Sequence, residues 1–192
     1  MGEDASLRAD CRRCAGLCCV ALAFDRSAMF GHDKPSGTAC THLGPADRCG
    51  IHASRAERGY RGCVAYDCLG AGQLVTQQLF GGQSWRDCAD GGRAMFTAFA
   101  AAQRVQQWRQ LLASAVTLPL TPALVERRAQ LVEELSPVQW SLSGLSELAS
   151  GPMAAKIADF LFSLREVVPA PDVANHAVSS RNSCDVVRRD PT

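Results

Sequence analysis

The sequence has little lysine, few aromatic side chains and no long apolar segment. Lysine occurs only at Lys34 and Lys156, although Lys and Arg together number 20 in a chain of 192 residues. The formal net charge is +1 and no basic stripe is present, so neither nucleic acid nor an acidic membrane is expected as a partner. The longest apolar run, Met95 to Ala102, is far shorter than the ~20 residues that span a bilayer.

Other absences bear on location and chemistry. The N-terminus begins with acidic residues and lacks the apolar stretch of a signal peptide, so we expect a cytoplasmic protein whose thiols stay reduced. There is no catalytic triad, phosphate-binding loop, zincin helix or dinucleotide fingerprint. The sequence therefore predicts no particular reaction, and whether the protein is an enzyme stays open.

Cysteine, in contrast, is abundant and clustered. Eight of the 10 cysteines lie in the first third of the chain, at Cys11, Cys14, Cys18, Cys19, Cys40, Cys49, Cys63 and Cys68. Thiolates bind zinc tetrahedrally, and four of them hold an iron–sulfur cluster. In a reduced compartment such clustering indicates metal or redox chemistry more often than disulfides. We therefore predict that these eight cysteines are metal ligands.

The spacing of the cysteines leaves the number of centres open. Cys11 and Cys14 form a Cys-x-x-Cys pair, in which both sulfurs can reach one ion. Because Cys18 and Cys19 are adjacent, their side chains should diverge, one toward Cys11 and Cys14 and the other toward a second centre or into packing. The four later cysteines suffice for a second four-sulfur site, or for one site with spares.

Glycine and proline interrupt residues 12–69 so often that no helical or strand period persists. Apolar burial alone cannot offset the ordering entropy of such a loop-rich segment. Metal binding can, because its free energy becomes folding free energy. The alternatives are structural free thiols, disulfides and a Cys-x-x-Cys oxidoreductase. His42, His52 and Cys88 are further candidate ligands, and Cys184 is expected to be a free thiol.

Helical periodicity begins after Cys68. We predict helices over Gln73–Phe80, Arg93–Val116, Thr121–Leu135, Ser136–Ala149 and Met153–Val168, from apolar spacing and from Ser/Thr-Pro starts. The fold is therefore expected to be mainly α. A loop-rich, cysteine-rich domain at residues 1–90 would precede a helical region at 91–168 and a flexible tail at 169–192.

The cysteine pattern resembles the zinc- or iron-chelating family named for its CxxCxxxCC signature, the YkgJ-like domains. The matching pieces are Cys11-x-x-Cys14-x-x-x-Cys18-Cys19, Cys40-x-x-Leu43, Cys49-x-Ile51-His52 and Gly62-Cys63-x-x-Tyr66-x-Cys68. His52 stands where that family has Tyr, and Arg61-Gly62 where it has Arg-Pro. The resemblance implies a chelated iron, an iron–sulfur cluster or zinc, but no reaction.

Residues 8–90 are also similar to a module that precedes pentapeptide repeats in some bacterial proteins. The matching pieces are Asp33-Lys34-Pro35, Asp67-Cys68-Leu-Gly-Ala-Gly-Gln73 and Gly81-Gly82-x-x-Trp85-Arg86. No such repeats follow in this chain. Our hypothesis is a metal-binding protein of unassigned activity; the alternative is a zinc-stabilised, non-catalytic adaptor whose helices bind an unknown protein partner.

Overall fold

The computed structural model describes residues 4–168, and the predicted tail lies outside this range. The described residues are mainly helical, as the sequence predicts. Their only extended pairings are two isolated antiparallel bridges, Phe24 with Lys34 and Leu43 with Cys49. Residues 4–168 therefore rely on helix packing and on loop contacts, without a sheet.

The cysteine-rich third contains only short helical pieces. These are 3-10 turns at Ala5–Leu7, Cys11–Arg13 and His52–Ser54 and the α-helices α1, Leu17–Ala21, and α2, Arg61–Ala65. The apolar stretch from Cys19 to Phe24, which the sequence left undecided between strand and turn, forms the end of α1 and then the Phe24 bridge. Loops make up the rest, so side chains and backbone groups of distant segments must hold this third together.

The helix predicted over Gln73–Phe80 is present but has an unexpected form. It starts as α3, Ala71–Gln73, and continues as a π-helix over Leu74–Leu79. A π-helical segment shifts the side-chain register and often occurs at functional sites. A 3-10 turn, Trp85–Asp87, then leads toward the long helix.

The long helix α4, Arg93–Ser114, is the centre of the fold and continues as a 3-10 turn to Thr117. Its apolar face is buried, with Met95, Ala102, Val105 and Leu112 fully inaccessible and Phe99 only 1% exposed. Helices α1, α3, α5 and α6 pack against α4, and α7 packs against α5 and α6. One continuous apolar core therefore includes residues of both the cysteine-rich third and the helical region.

Three further α-helices follow: α5, Pro122–Glu134, α6, Leu142–Ser150, and α7, Met153–Ser163, which ends in a 3-10 turn at Leu164–Glu166. The predicted start of α5 is confirmed, since the Thr121 hydroxyl accepts from the Leu124 amide. The domain boundary near residue 90 stays a prediction. Within residues 4–168, no helix is both long and apolar enough to cross a membrane.

The predicted helix start at Ser136 is wrong. Helix α6 begins at Leu142, and its N-cap is Ser141, whose hydroxyl accepts a 3.1 Å bond from the Gly144 amide. Val138, which would lie in the first turn of the predicted helix, is fully exposed. Both serines are good caps in isolation, and tertiary packing selects the second.

The buried position of Phe99 predicts a large effect of truncation. Phe99→Ala should lower the free energy of unfolding by about 3–5 kcal/mol, because it removes apolar area and leaves a cavity beside the cysteine-rich third. Chemical denaturation measures the change. Phe162→Ala is the matched control, since Phe162 is 63% exposed, and it should cost less than about 1 kcal/mol. Equal losses in the two variants would contradict the core assignment.

Candidate metal centre

Four of the predicted ligands line one small cavity. Cys11, Cys14, Cys18 and Cys68 surround it, together with Asp10, Gly72, Gln73 and Phe99. We call these four cysteines the cavity group. The cavity volume is about 20 Å³, close to the roughly 10–15 Å³ that accommodates one water-sized sphere. Thiols that are up to 57 residues apart in sequence, from Cys11 to Cys68, thus face a space of the size of a single ion.

The remaining four predicted ligands do not line this cavity: Cys19 belongs to α1, Cys63 to α2, and Cys40 and Cys49 to the segments between these helices. We call Cys19, Cys40, Cys49 and Cys63 the loop group. The Cys40 amide donates to the Cys19 carbonyl at 2.8 Å. Cys49 forms the bridge with Leu43, whose amide in turn donates to the Cys40 carbonyl. Burial raises the pKa of the Cys63 thiol, and the neighbouring sulfurs of Cys18, Cys40 and Cys49 raise it further. Cys63 is therefore electrostatically coupled to Cys40 and Cys49 of its own group and to Cys18 of the cavity group.

The adjacent residues Cys18 and Cys19 join the two groups, with their sulfurs 3.9 Å apart. Cys18 lines the cavity, whereas the Cys19 carbonyl is bonded to the Cys40 loop. Contact with the Cys19 sulfur and burial raise the pKa of Cys18. The pair thus divides between the groups, and Cys18 lies within electrostatic range of both.

The cavity by itself favours neutral thiols. Burial raises the pKa of Cys14 to about 12, although the amides of Leu17 and Gly16 donate to its sulfur and oppose the shift. Burial likewise raises the pKa of Cys68, against hydrogen bonds from the Gly72 and Gly70 amides. Positive charge inside the cavity would reverse this preference, because it stabilises the thiolate.

Gly72 allows two of these sulfurs to approach the helix backbone. A Cβ atom at this position would lie 2.5 Å from the Cys14 sulfur and 3.9 Å from the Cys68 sulfur. Both sulfurs are thus within 4 Å of the same point beside α3. Any side chain at residue 72 would displace the Cys14 sulfur from this position.

Arg48 holds the Cys11–Cys14 turn from one side. Its guanidinium donates to the carbonyls of Cys11, Arg12 and Cys14, at 2.5 Å for Arg12 and 3.0 Å for Cys14. Because a guanidinium presents several donors in a rigid plane, one side chain can satisfy three backbone carbonyls. The loop that supplies Cys49 therefore also fixes the turn that supplies the first two cysteines.

Helix α3 and its π-helical continuation hold the same segment from the other side. Gln73 accepts from the Asp10 amide at 2.9 Å and donates to the Arg8 carbonyl at 2.6 Å. Thr76 accepts from the Ala15 amide at 3.0 Å, and Gln77 donates to the Arg13 carbonyl at 2.8 Å. These polar side chains replace the backbone partners that a loop lacks.

Gln106 of α4 holds the turn that follows Cys68. Its amide nitrogen donates to the Leu69 carbonyl at 2.9 Å and to the Ser6 carbonyl at 3.1 Å, and its oxygen accepts from Arg109 at 2.7 Å. Leu69 has a φ of 50°, a left-handed conformation that is uncommon for leucine. Gln106 is completely buried, so it fixes this strained turn from inside the core.

The other candidate ligands lie apart from the sulfurs or bond elsewhere. His42 Nε2 is 3.0 Å from the Tyr60 hydroxyl, which is also 2.7 Å from His32 Nδ1. His52 is exposed. The Cys88 sulfur contacts the Ser84 carbonyl at 3.6 Å, and it belongs to neither group. Cys184 lies outside the described residues.

Two observations bear on the chemical state of the cysteines. All nine cysteines within residues 4–168 are free, so the described part of the chain contains no disulfide. In the same part, no three Cys, His, Asp or Glu side chains converge closely enough to hold a metal ion as they stand. Four of the thiols therefore border one cavity without forming a coordination site in the arrangement that the structure describes.

Sequence reasoning missed the side chains that hold these loops. Gln73 entered only as the last residue of the Asp67–Gln73 piece of the module resemblance, and Arg48, Thr76, Gln77 and Gln106 did not belong to any recognised motif. One signal was present: residues 73, 76 and 77 have the spacing of a single helix face, which is polar in a short, otherwise apolar helix. Arg48 and Gln106 carried no such signal, because their partners are distant in sequence.

Fold and site together define a mainly helical protein with eight clustered, free thiols. The chain is similar to the uncharacterized protein YybG of Bacillus subtilis (strain 168), with 34% identity over 165 residues. The alignment covers 85% of this chain, and the chain spans 59% of the length of that relative. No family profile and no solved structure match the chain.

The role of Gln106 yields a prediction. Gln106→Leu should destabilise the protein by about 1–3 kcal/mol, because the Ser6 and Leu69 carbonyls would lose their buried donor. Chemical denaturation of the reduced protein measures the loss. Gln110→Leu, one turn later on the exposed side of α4, is the control and should change stability by less than about 0.5 kcal/mol. If both variants were equally stable, Gln106 would not hold the turn.

Proposed function

We propose that this protein binds metal through its clustered cysteines, as zinc, as iron or as an iron–sulfur cluster. The observation that carries the proposal is the cavity lined by Cys11, Cys14, Cys18 and Cys68. Four thiols are the complete donor set of a structural zinc or iron site. The loop group, with four more thiols, would hold a second centre.

The surroundings of the sulfurs fit such a centre. Backbone amides donate to the Cys14 and Cys68 sulfurs, and hydrogen bonds of this kind favour the thiolate. The absence of a side chain at Gly72 gives the sulfurs room. Bound metal would supply cross-links among loops that have no regular secondary structure, so metal binding and folding would be coupled.

The cavity does not discriminate between the possible centres. Its volume of about 20 Å³ admits one water-sized sphere, but the side chains that line it do not converge closely enough to hold an ion as they stand. Arg48 and the polar side chains of α3 tie the Cys11–Cys14 turn to its neighbours. We therefore propose zinc, iron or an iron–sulfur cluster for this position without choosing among them.

A zinc-stabilised adaptor is the second candidate, and one surface feature favours it. A groove of about 290 Å³ lies between residues 137–141 and the helices α6 and α7, with Trp140, Leu148 and Met153 among its lining residues. Grooves with apolar and aromatic linings are common binding surfaces. In this reading the metal only stabilises the fold, and the groove binds a protein partner.

Elemental analysis of anaerobically purified full-length protein tests the proposal. We expect one or two zinc or iron atoms per chain. A colourless protein with stoichiometric zinc would favour the adaptor function, whereas a brown protein with acid-labile sulfide would indicate an iron–sulfur cluster. Metal-free protein that folds normally and gains no metal on incubation with Zn²⁺ or Fe²⁺ would refute metal binding.

Single substitutions separate the two groups. Cys14→Ser should remove the metal of the cavity group, and Cys63→Ser that of the loop group, because a hydroxyl is a poor replacement for a thiolate ligand. Metal content per chain should fall by one centre in each variant, together with thermal stability. Cys88→Ser is the internal control, since its sulfur belongs to neither group, and Cys184→Ser should also retain full metal. Equal metal content in all four variants would refute the ligand assignment.

Substitution of Gly72 tests the cavity without removing a ligand. Gly72→Ala places a methyl group 2.5 Å from the Cys14 sulfur, so that sulfur must move and metal in the cavity group should be lost. Gly44→Ala is the matched control, because its nearest neighbour would be the Arg48 carbonyl at an ordinary 3.4 Å. Metal content per chain, measured in both variants, tells whether the metal binds in this cavity. Full occupancy in Gly72→Ala would place the ion elsewhere.

A further inference from the structure

A tyrosine and two histidines meet at a point that none of the eight predicted cysteine ligands occupies. The Tyr60 hydroxyl oxygen lies 2.7 Å from His32 Nδ1 and 3.0 Å from His42 Nε2. Tyr60 is only 7% exposed, whereas both histidines are half-buried, so the group can be reached from solvent. Three separate segments of the chain thus bring one oxygen and two nitrogens together.

The spacing of these atoms is that of ligands around one ion. A first-row cation such as zinc binds nitrogen and oxygen at about 2.0–2.1 Å, so two neighbouring ligand atoms lie about 2.9–3.4 Å apart, according to the coordination angle. The two contacts of the Tyr60 oxygen, 2.7 Å and 3.0 Å, lie just below this range and within it. A cation can therefore take the place of the protons that these contacts now share.

The donor atoms are suitable for such a cation. Imidazole binds zinc, copper, iron and nickel, and tyrosine oxygen ligates iron in some haem proteins. Burial lowers the pKa of His42, and the charges of His32 and Arg58 lower it further, so its ring is neutral at pH 7. A group of two histidines and a phenol is also compatible with the absence, within residues 4–168, of three converging Cys, His, Asp or Glu side chains.

The surroundings orient the rings and leave space beside the oxygen. Within residues 4–168, His32 Nε2 is buried without a hydrogen-bond partner, so the contact with Tyr60 is the hydrogen bond that orients the His32 ring. Phe24 packs edge-on against the His32 ring at 5.2 Å and stacks on Phe30 at 4.4 Å. Gly31 leaves open a point 3.0 Å from the Tyr60 oxygen, which a Cβ atom would occupy. A buried polar atom without a partner often marks the place of a water or an ion.

We propose that His32, His42 and Tyr60 form a separate metal site, which binds a first-row divalent cation such as Zn²⁺. The phenol has one proton, so it donates to one imidazole and accepts from the other. On metal binding, the phenol releases its proton to solvent, and the imidazole that was the donor moves its proton to its other nitrogen. One proton is released in total, and the centre carries a net charge of +1.

The proposed site differs from the thiol groups in its chemistry. Four thiolates close the coordination of a zinc ion, whereas three protein ligands leave a fourth position for water or a substrate, as in catalytic zinc sites. The inference goes beyond the proposed function and does not depend on it, because His32, His42 and Tyr60 contribute no sulfur.

The site can be observed directly, because the chain has only two tyrosines, Tyr60 and Tyr66. Burial raises the pKa of Tyr60, so its phenol is neutral at pH 7 without metal. Titration of the metal-free, reduced full chain with Zn²⁺ should produce the ultraviolet difference band of tyrosinate, with an amplitude of one phenolate per chain. Zinc bound by thiolates produces no such band. Mg²⁺ should not produce it either, because Mg²⁺ prefers oxygen ligands and keeps its waters.

Two conservative variants assign the band to one residue. Tyr60→Phe should abolish it, because the ring is kept and only the ligand oxygen is removed. Tyr66→Phe is the matched control, since the Tyr66 hydroxyl accepts from the Gln103 side chain, and it should keep the full amplitude. A band that persists in Tyr60→Phe, or that disappears in Tyr66→Phe, would overturn the site.

Histidine variants test the two nitrogen ligands. His32→Gln and His42→Gln should each raise the Zn²⁺ concentration at half amplitude by at least about 10-fold, since loss of even a supporting residue typically costs 10- to 100-fold in metal affinity. His52→Gln is the control, because His52 is exposed, and it should leave this concentration unchanged. Equal effects of all three substitutions would overturn the assignment of the ligands.

The outcomes also separate this inference from the proposed function. No tyrosinate band at saturating Zn²⁺ would overturn the site, whatever metal the thiols bind. A band of full amplitude in a protein whose thiols bind no metal would support the site and refute the proposed function. If Tyr60→Phe loses its helical circular dichroism, the histidine variants decide, and an unchanged band in both His32→Gln and His42→Gln would overturn the site.

Discussion

Hydrogen bonds from side chains to the backbone are the constraint on which this structure depends. The cysteine-rich third contains amides and carbonyls that no helix or sheet pairs, and such groups are costly when they are buried without a partner. Gln73, Thr76 and Gln77 satisfy them from one side of the first cysteine turn, and Arg48 does so from the other. The position of the sulfurs follows from these bonds rather than from local conformation.

The same interactions connect the thiols to the helical core. Gln106 extends from the middle of α4 to the turn after Cys68, while Phe99 of the same helix lines the cavity among the sulfurs. Helix α6, which borders the groove, packs against the same helix α4. The cavity and the groove therefore both adjoin elements of one continuous core.

Prediction succeeded where the information is local. Apolar periodicity and the Thr121-Pro122 start located most helices within a few residues, because capping and periodicity involve near neighbours in sequence. It failed at Ser136, where a second serine five residues later caps the helix. It also missed the π-helical form of Leu74–Leu79, whose register accompanies bonds to the cysteine segment some sixty residues earlier.

The sequence by itself determined that the clustered side chains are cysteine thiols and that the fold is mainly helical. Residue chemistry and helical periodicity are properties of short segments. Only the tertiary structure decided which of the thiols share a cavity. It placed Cys11, Cys14, Cys18 and Cys68 around one small space, which Cys19 does not line. The physical reason is that the placement of each cysteine depends on which backbone groups, distant in sequence, find hydrogen-bond partners. The spacing of cysteines along the chain does not contain that information.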